Sequence, residues 1–73
     1  MNVMQTEENA LSDREFEVLE LIVRGCKNCE IAMALEIEVR TVRFHVENIL
    51  DKLRVRNRTE ATSHAFKNGW ITE

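Results

Sequence analysis

Apolar side chains recur along this chain at helical spacing rather than in the alternation that marks strands. The first run is Phe16, Leu19, Ile22 and Val23, a stripe with Glu17 and Glu20 lying off it. Ser12 opens this helix, and Ser12-x-x-Glu15 reads as a capping box: the hydroxyl accepts from the Glu15 amide while the carboxylate reaches back. Leu11 staples onto Phe16, and Gly25 closes the helix in the left-handed conformation that other residues avoid.

A second, short helix is predicted from Asn28 or Cys29 to Leu35, capped by Asn28, with Ile31, Ala32 and Leu35 facing inward. Glu36-Ile37-Glu38 then forms a tight turn with Ile37 tucked into the core. The third helix begins near Val39 and has the cleanest period in the chain. Val42, Val46, Ile49, Leu50 and Leu53 fall on one stripe, with Arg40, Arg43, Phe44, Glu47 and Asp51 on other faces. After the loop Arg54-Val55-Arg56, Asn57 caps a fourth helix with Glu60 at its third position. Ala61 and Ala65, one turn apart, let another helix approach closely; Gly69 ends the helix, and Trp70 and Ile71 fold back or serve a partner. Residues 1–10 are polar and unpatterned and are expected to fray as a flexible tail, leaving 11–73 as one all-α domain of four helices.

Composition narrows the function. A chain of 73 residues buries a thin core, which a partner subunit would supplement, and leaves little scaffold for a substrate cleft. Pro is absent, Gly occurs twice and aromatics are 5%, all of which favours helices. No apolar run reaches membrane-spanning length, and the N-terminus has no signal-peptide character. Two cysteines are too few for a disulfide framework, so a cytoplasmic location is expected. No pairing of nucleophile, base and oxyanion donors is evident, so no catalytic residue is assigned, and no cofactor is expected.

The net charge of −3 hides an asymmetry. Met1 to Val39 carries nine acidic against three basic residues, a balance of −6, whereas Arg40 to Glu73 carries seven basic against four acidic, +3. The basic half includes a short helix, tight turn and longer amphipathic helix, the spacing of a helix-turn-helix. In that arrangement the longer helix lies in the major groove of double-stranded DNA while the shorter one braces it. Base contacts then fall to Arg43, Phe44 and Glu47, with Arg40 and Thr41 placed for phosphate. Helix N-termini add phosphate sites at Lys27 and Asn28, at Arg40 and Thr41, and at Asn57 between Arg56 and Arg58.

An ordered set of residues resembles the LuxR-type helix-turn-helix domain of LuxR, FixJ, NarL and GerE-like bacterial regulators. It runs Leu11-Ser12-x-Arg14-Glu15-x-x-Val18-Leu19, Gly25, Asn28, Glu30-Ile31-Ala32, Leu35 and Ile37. It continues through Thr41-Val42-Arg43-x-His45, Ile49, Lys52-Leu53, Val55, Asn57-Arg58 and Glu60-Ala61 to Gly69. The resemblance covers Leu11 to Ile71, and in size the chain is similar to the GerE-like members without a sensor domain. It implies base contacts at Arg43, Phe44 and Glu47, and phosphate contacts at Thr41, Lys52, Asn57 and Arg58. It also implies a homodimer through the fourth helix, where Phe66 and Trp70, with Ala61 and Ala65, read as either ordinary core or the dimer seam, and RNA polymerase or another regulator is a further candidate partner.

Three positions depart from the family pattern: Lys27 and Glu38 stand where Ser or Thr usually precedes a helix, and Glu47 where a basic or polar residue is common. Glu47 can accept from cytosine N4, giving sequence choice. Phe44 is either a packing residue or a thymine-methyl contact, and His45, beside the core stripe, reads as structural. Cys26-Lys27-Asn28-Cys29 reads as two ordinary thiols or as a redox pair; His45 and His64 are spaced wrongly for a zinc finger, so no metal is assigned. A rival reading is a protein-interaction module, too acidic for DNA, that pairs with another regulator and titrates it.

Overall fold

A computed structural model describes residues 11–70. The proposed tail at 1–10 and the closing role of Ile71 lie outside the described residues. The order is α1 (Asp13–Val23), α2 (Asn28–Leu35), α3 (Val39–Leu53) and α4 (Arg58–Lys67), with no strand among the described residues. α3 packs on α1, α2 and α4, so every other helix rests on it.

α1 starts as a reciprocal cap. Ser12 Oγ accepts from the Glu15 amide at 3.0 Å, and the Ser12 amide donates to Glu15 Oε1 at 3.0 Å. The buried stripe of this helix is Glu15, Val18, Leu19 and Ile22, at i, i+3, i+4 and i+7. Phe16 and Val23, expected on that stripe, are only partly buried against its edge. Val18, by contrast, is fully enclosed. The stripe is thus turned slightly about the helix axis, and the turn carries a carboxylate into the core.

All four helices stop in the same way. An amide just past the end donates back five residues: Cys26 to Leu21, Ile37 to Ala32, Val55 to Leu50, and Trp70 to Ala65, each at 3.0 Å. The preceding residue is left-handed, with φ of 91° at Gly25, 59° at Glu36, 58° at Arg54 and 69° at Gly69. This is the Schellman ending, which satisfies carbonyls that the helix itself leaves unpaired. The residue that follows the left-handed one, Cys26, Ile37, Val55 or Trp70, is apolar and packs against the core. Four such endings fold four short helices back onto one cluster, centred on Leu19, Ile31, Ile49, Val18 and Val42.

The helix starts are less uniform. Lys27, not Asn28, caps α2: its backbone is extended, with φ −81° and ψ 164°, and Asn28 is already helical. A lysine side chain offers no acceptor to the first turn, but Glu30 reaches back to take the Lys27 amide at 2.7 Å. Glu38 caps α3 without a side-chain hydrogen bond to the amides of its first turn. Asn57 caps α4 through the Glu60 amide at 2.8 Å, while the Glu60 carboxylate takes the Arg56 amide at 2.7 Å.

Two left-handed positions, Glu36 and Arg54, carry a Cβ that crowds the backbone there. Glu36→Gly should therefore stabilise the domain by about 0.5–1 kcal/mol after the added freedom of the unfolded chain is counted. In a domain of this size about 1 kcal/mol raises the melting midpoint by about 4–8 °C, so thermal unfolding followed by circular dichroism reads the effect. An unchanged or lowered midpoint would show that Glu36 is not strained.

Candidate nucleic-acid interface

The outer face of α3 opposes its core stripe. Val42, Val46, Ile49 and Leu53 are buried, whereas Arg40, Arg43, Phe44, Glu47 and Asp51 are all exposed. At 3.6 residues per turn these five side chains occupy an arc of about 100°. Phe44 is 61% exposed, an unusual solvent position for a phenyl ring. Thr41 and His45 sit half-buried at the edges of the face. His45 Nδ1 is buried without a hydrogen-bond partner among the described residues, and its ring lies 6.2 Å from that of Phe44.

A second feature lies where the α1–α2 turn meets the start of α4. Arg58 donates from Nη1 to Asn28 Oδ1 at 2.6 Å and from Nη2 to the Cys26 carbonyl at 2.8 Å. Ile22, Gly25, Cys26, Lys27, Asn28 and Arg58 line an open cleft of about 420 Å³ here. Three residues expected at phosphates, Lys27, Asn28 and Arg58, thus converge on one spot. Arg58 and Asn28 also tie the fold together, a role the local sequence gives no sign of because they lie thirty residues apart.

The cation pattern changes once partners are assigned. Arg40 Nε lies 2.8 Å from Glu38 Oε1, and Arg56 Nε lies 3.8 Å from Glu60 Oε2, both pairs largely in solvent. Lys52 Nζ lies 2.8 Å from Glu15 Oε1. Position 52, expected at a phosphate, thus carries a structural duty as well: its half-exposed ammonium is drawn to a buried carboxylate that crosses from α1. Arg43, Arg54 and Lys27 have no acidic partner among the described residues.

The fourth-helix residues divide between the two readings, core and seam. Ala61 and Ala65 are fully buried inside the protomer, where α4 lies against α1 and α3, and no partner can reach them. Trp70 is half-buried, its ring 6.1 Å from Phe16 and edge-on to His64 at 5.3 Å. Of the four seam residues only Phe66 is well exposed, at 41%. It shares its side of α4 with Thr59 and Ser63, both exposed. Small side chains at helical spacing served a close internal contact, not an external one.

Comparison with known proteins decides the family. The group described as "Bacterial regulatory proteins, luxR family" matches residues 9–65. This chain is a member of the LuxR family. It is 49% identical over 61 residues to "Response regulator protein VraR" of Staphylococcus aureus (strain Mu3), a match covering 84% of this chain and 29% of that protein. The VraR of Staphylococcus epidermidis matches to the same extent. The chain thus spans under a third of the length of these curated relatives. Among solved structures, "Structure of Transcription factor, GerE" superposes with a TM-score of 0.78 at 34% identity, covering 85% of this chain and 92% of that one. The four-helix LuxR fold is that of a DNA-binding transcription regulator. No helix among the described residues is long and apolar enough to cross a membrane.

The Glu15–Lys52 pair gives the LuxR domain a pH signature. Burial pushes the Glu15 carboxyl up, but the Lys52 hydrogen bond and charge and the Ser12 donors more than offset this, holding it below the usual 4.5. A carboxyl lowered in the folded state adds stability that is complete above 4.5 and is lost as pH falls through the lowered value. Lys52→Met leaves the carboxylate buried without its cation and should cost about 1–3 kcal/mol at neutral pH. Urea titrations at neutral pH and at about pH 3, where carboxyls protonate, should show the deficit shrinking in acid. A deficit independent of pH would remove the ion pair as its cause.

Proposed function

We propose that this LuxR-family domain binds double-stranded DNA as a homodimer, with α3 in the major groove of each half-site. The exposed arc of α3, backed by its aliphatic stripe, carries this reading. Arg43 donates a forked pair of hydrogen bonds to a guanine edge, Phe44 packs on a thymine methyl, and Glu47 accepts from cytosine N4. Phosphates are held by Lys27, Asn28 and Arg58 at the cleft, by Arg40 and Thr41 at the start of α3, and by Arg56 and Asn57 at the start of α4. Lys52 acts through Glu15, positioning α3. The dimer seam is the outer face of α4 around Phe66. A two-fold dimer of this kind reads paired half-sites about 10 bp apart. Such a regulator works in the bacterial cytoplasm, with RNA polymerase or another regulator as its further partner. The names of its relatives, a transcription factor and a response regulator, agree with that role.

A second reading, a module that pairs with and titrates another regulator, draws on the internal pairing of Arg40, Lys52 and Arg56. It predicts no gel shift even at low salt, where phosphate contacts are strongest.

Selection of bound duplexes from random DNA tests the first reading, which expects paired half-sites. Arg43→Ala should then cost about 1–3 kcal/mol and relax specificity at one base pair. Wild-type binding by Arg43→Ala, measured by fluorescence anisotropy, would displace α3 as the reading helix. Glu38→Ser should strengthen binding to every sequence. It removes a carboxylate from the phosphate side, releases Arg40, and supplies a side-chain cap of about 0.5–2 kcal/mol to α3. Weaker binding by Glu38→Ser would mean that Glu38 itself contacts the DNA.

A further inference from the structure

The pair Cys26 and Cys29 has no part in the reading head, yet it brackets Lys27 and Asn28 at the cleft. Both thiols are free. Cys29 is exposed on the first turn of α2, and Cys26 is half-buried, packed against the core and lining the cleft. The backbone of Cys26 is a junction: its amide donates to Leu21 at the end of α1, and its carbonyl accepts Arg58 from α4. Anything that shifts this residue shifts the start of α2 and the Arg58 guanidinium with it.

We propose that Cys26 and Cys29 form a dithiol switch that responds to small anionic disulfides and weakens DNA binding when oxidised. The readout rests on the DNA-binding reading; the chemistry does not. The Cys29 thiolate attacks one sulfur of the incoming disulfide, whose S–S bond breaks and releases one small thiolate. The Cys26 thiolate then attacks the Cys29 sulfur of the mixed disulfide and expels the second small thiolate. Two protein thiols are oxidised to one disulfide, one small disulfide is reduced to two thiols, and the two protein protons pass to those leaving groups. Lys27 and Arg58, both lining the cleft, attract a disulfide that bears carboxylates.

Closure has a structural consequence. A disulfide needs its two Cα atoms about 4.4–6.8 Å apart. Lys27, extended between the cysteines, holds them wider than a helical turn would. Drawing them together turns Lys27 out of that conformation, opens its amide bond to Glu30 and pulls the Cys26 carbonyl from Arg58. The phosphate cleft is then rebuilt, and the mixed disulfide on the way already fills it with negative charge.

The test treats reduced protein with oxidised glutathione and follows intact mass together with binding to a duplex selected from random DNA. Wild type should end as the internal disulfide and bind at least about tenfold more weakly, a change of about 1.4 kcal/mol, with recovery in dithiothreitol. Cys26→Ser should stop at the glutathione adduct, and Cys29→Ser should keep its affinity throughout. Oxidised wild type that binds like reduced protein, or Cys29→Ser that loses affinity equally, overturns the switch. If reduced protein binds no duplex at all, the DNA-binding reading fails on its own. Nuclear magnetic resonance then judges the switch alone, since unchanged Asn28 amide and Arg58 side-chain signals after oxidation would overturn it.

Discussion

One carboxylate joins the two helices on which the domain is built. Glu15 takes the Ser12 amide at the start of α1 and the Lys52 ammonium near the end of α3. It is the buried acidic residue of the described fold, set among aliphatic side chains that supply the driving force but no direction. Apolar packing seats the Val42, Val46, Ile49 and Leu53 stripe of α3 inward, and a charge pair adds a contact of defined direction to it. A hydrogen-bonded charge pair has one geometry, and leaving half of it buried without the other is costly. The pair adds a directional contact to the aliphatic stripe of α3, which turns Arg43, Phe44 and Glu47 outward.

The legible parts of the fold were those written in local spacing. The Ser12–Glu15 box, the period of α3, the Asn57 cap and the glycines past α1 and α4 all act within a few residues, and the structure has each of them. The endings of α2 and α3 use the same geometry with Glu36 and Arg54, which carry no such signal, so their likeness to the glycine endings shows only in the backbone. At the start of α2 the sequence favoured Asn28 because asparagine is a good cap; the chain spends that side chain on Arg58 instead. Long-range pairing was the general blind spot. Lys52 and Arg58 read as surface cations until Glu15 and Asn28 were found beside them, although the spacing of Glu15 with Val18, Leu19 and Ile22 already placed the acid on the inner stripe.

Charge accounting alters the picture of the surface. A count along the sequence makes the second half a basic patch, but much of that charge is neutralised nearby or turned to structural use. Without an acidic partner among the described residues stand Arg43 on the outer face of α3, Lys27 at the cleft, Arg54 past the end of α3, Arg24 at the end of α1 and Lys67 at the end of α4.

The two alanines of α4 have a consequence for how such a domain can diversify. Because Ala61 and Ala65 are consumed by the close approach of α4 to its neighbours, the opposite flank, with Thr59, Ser63 and Phe66, bears no duty to the interior. Drift on that flank leaves the bundle intact, and drift on the outward arc of α3 does so as well. The two surfaces can then change independently, each by a handful of substitutions, over a scaffold that neither of them disturbs.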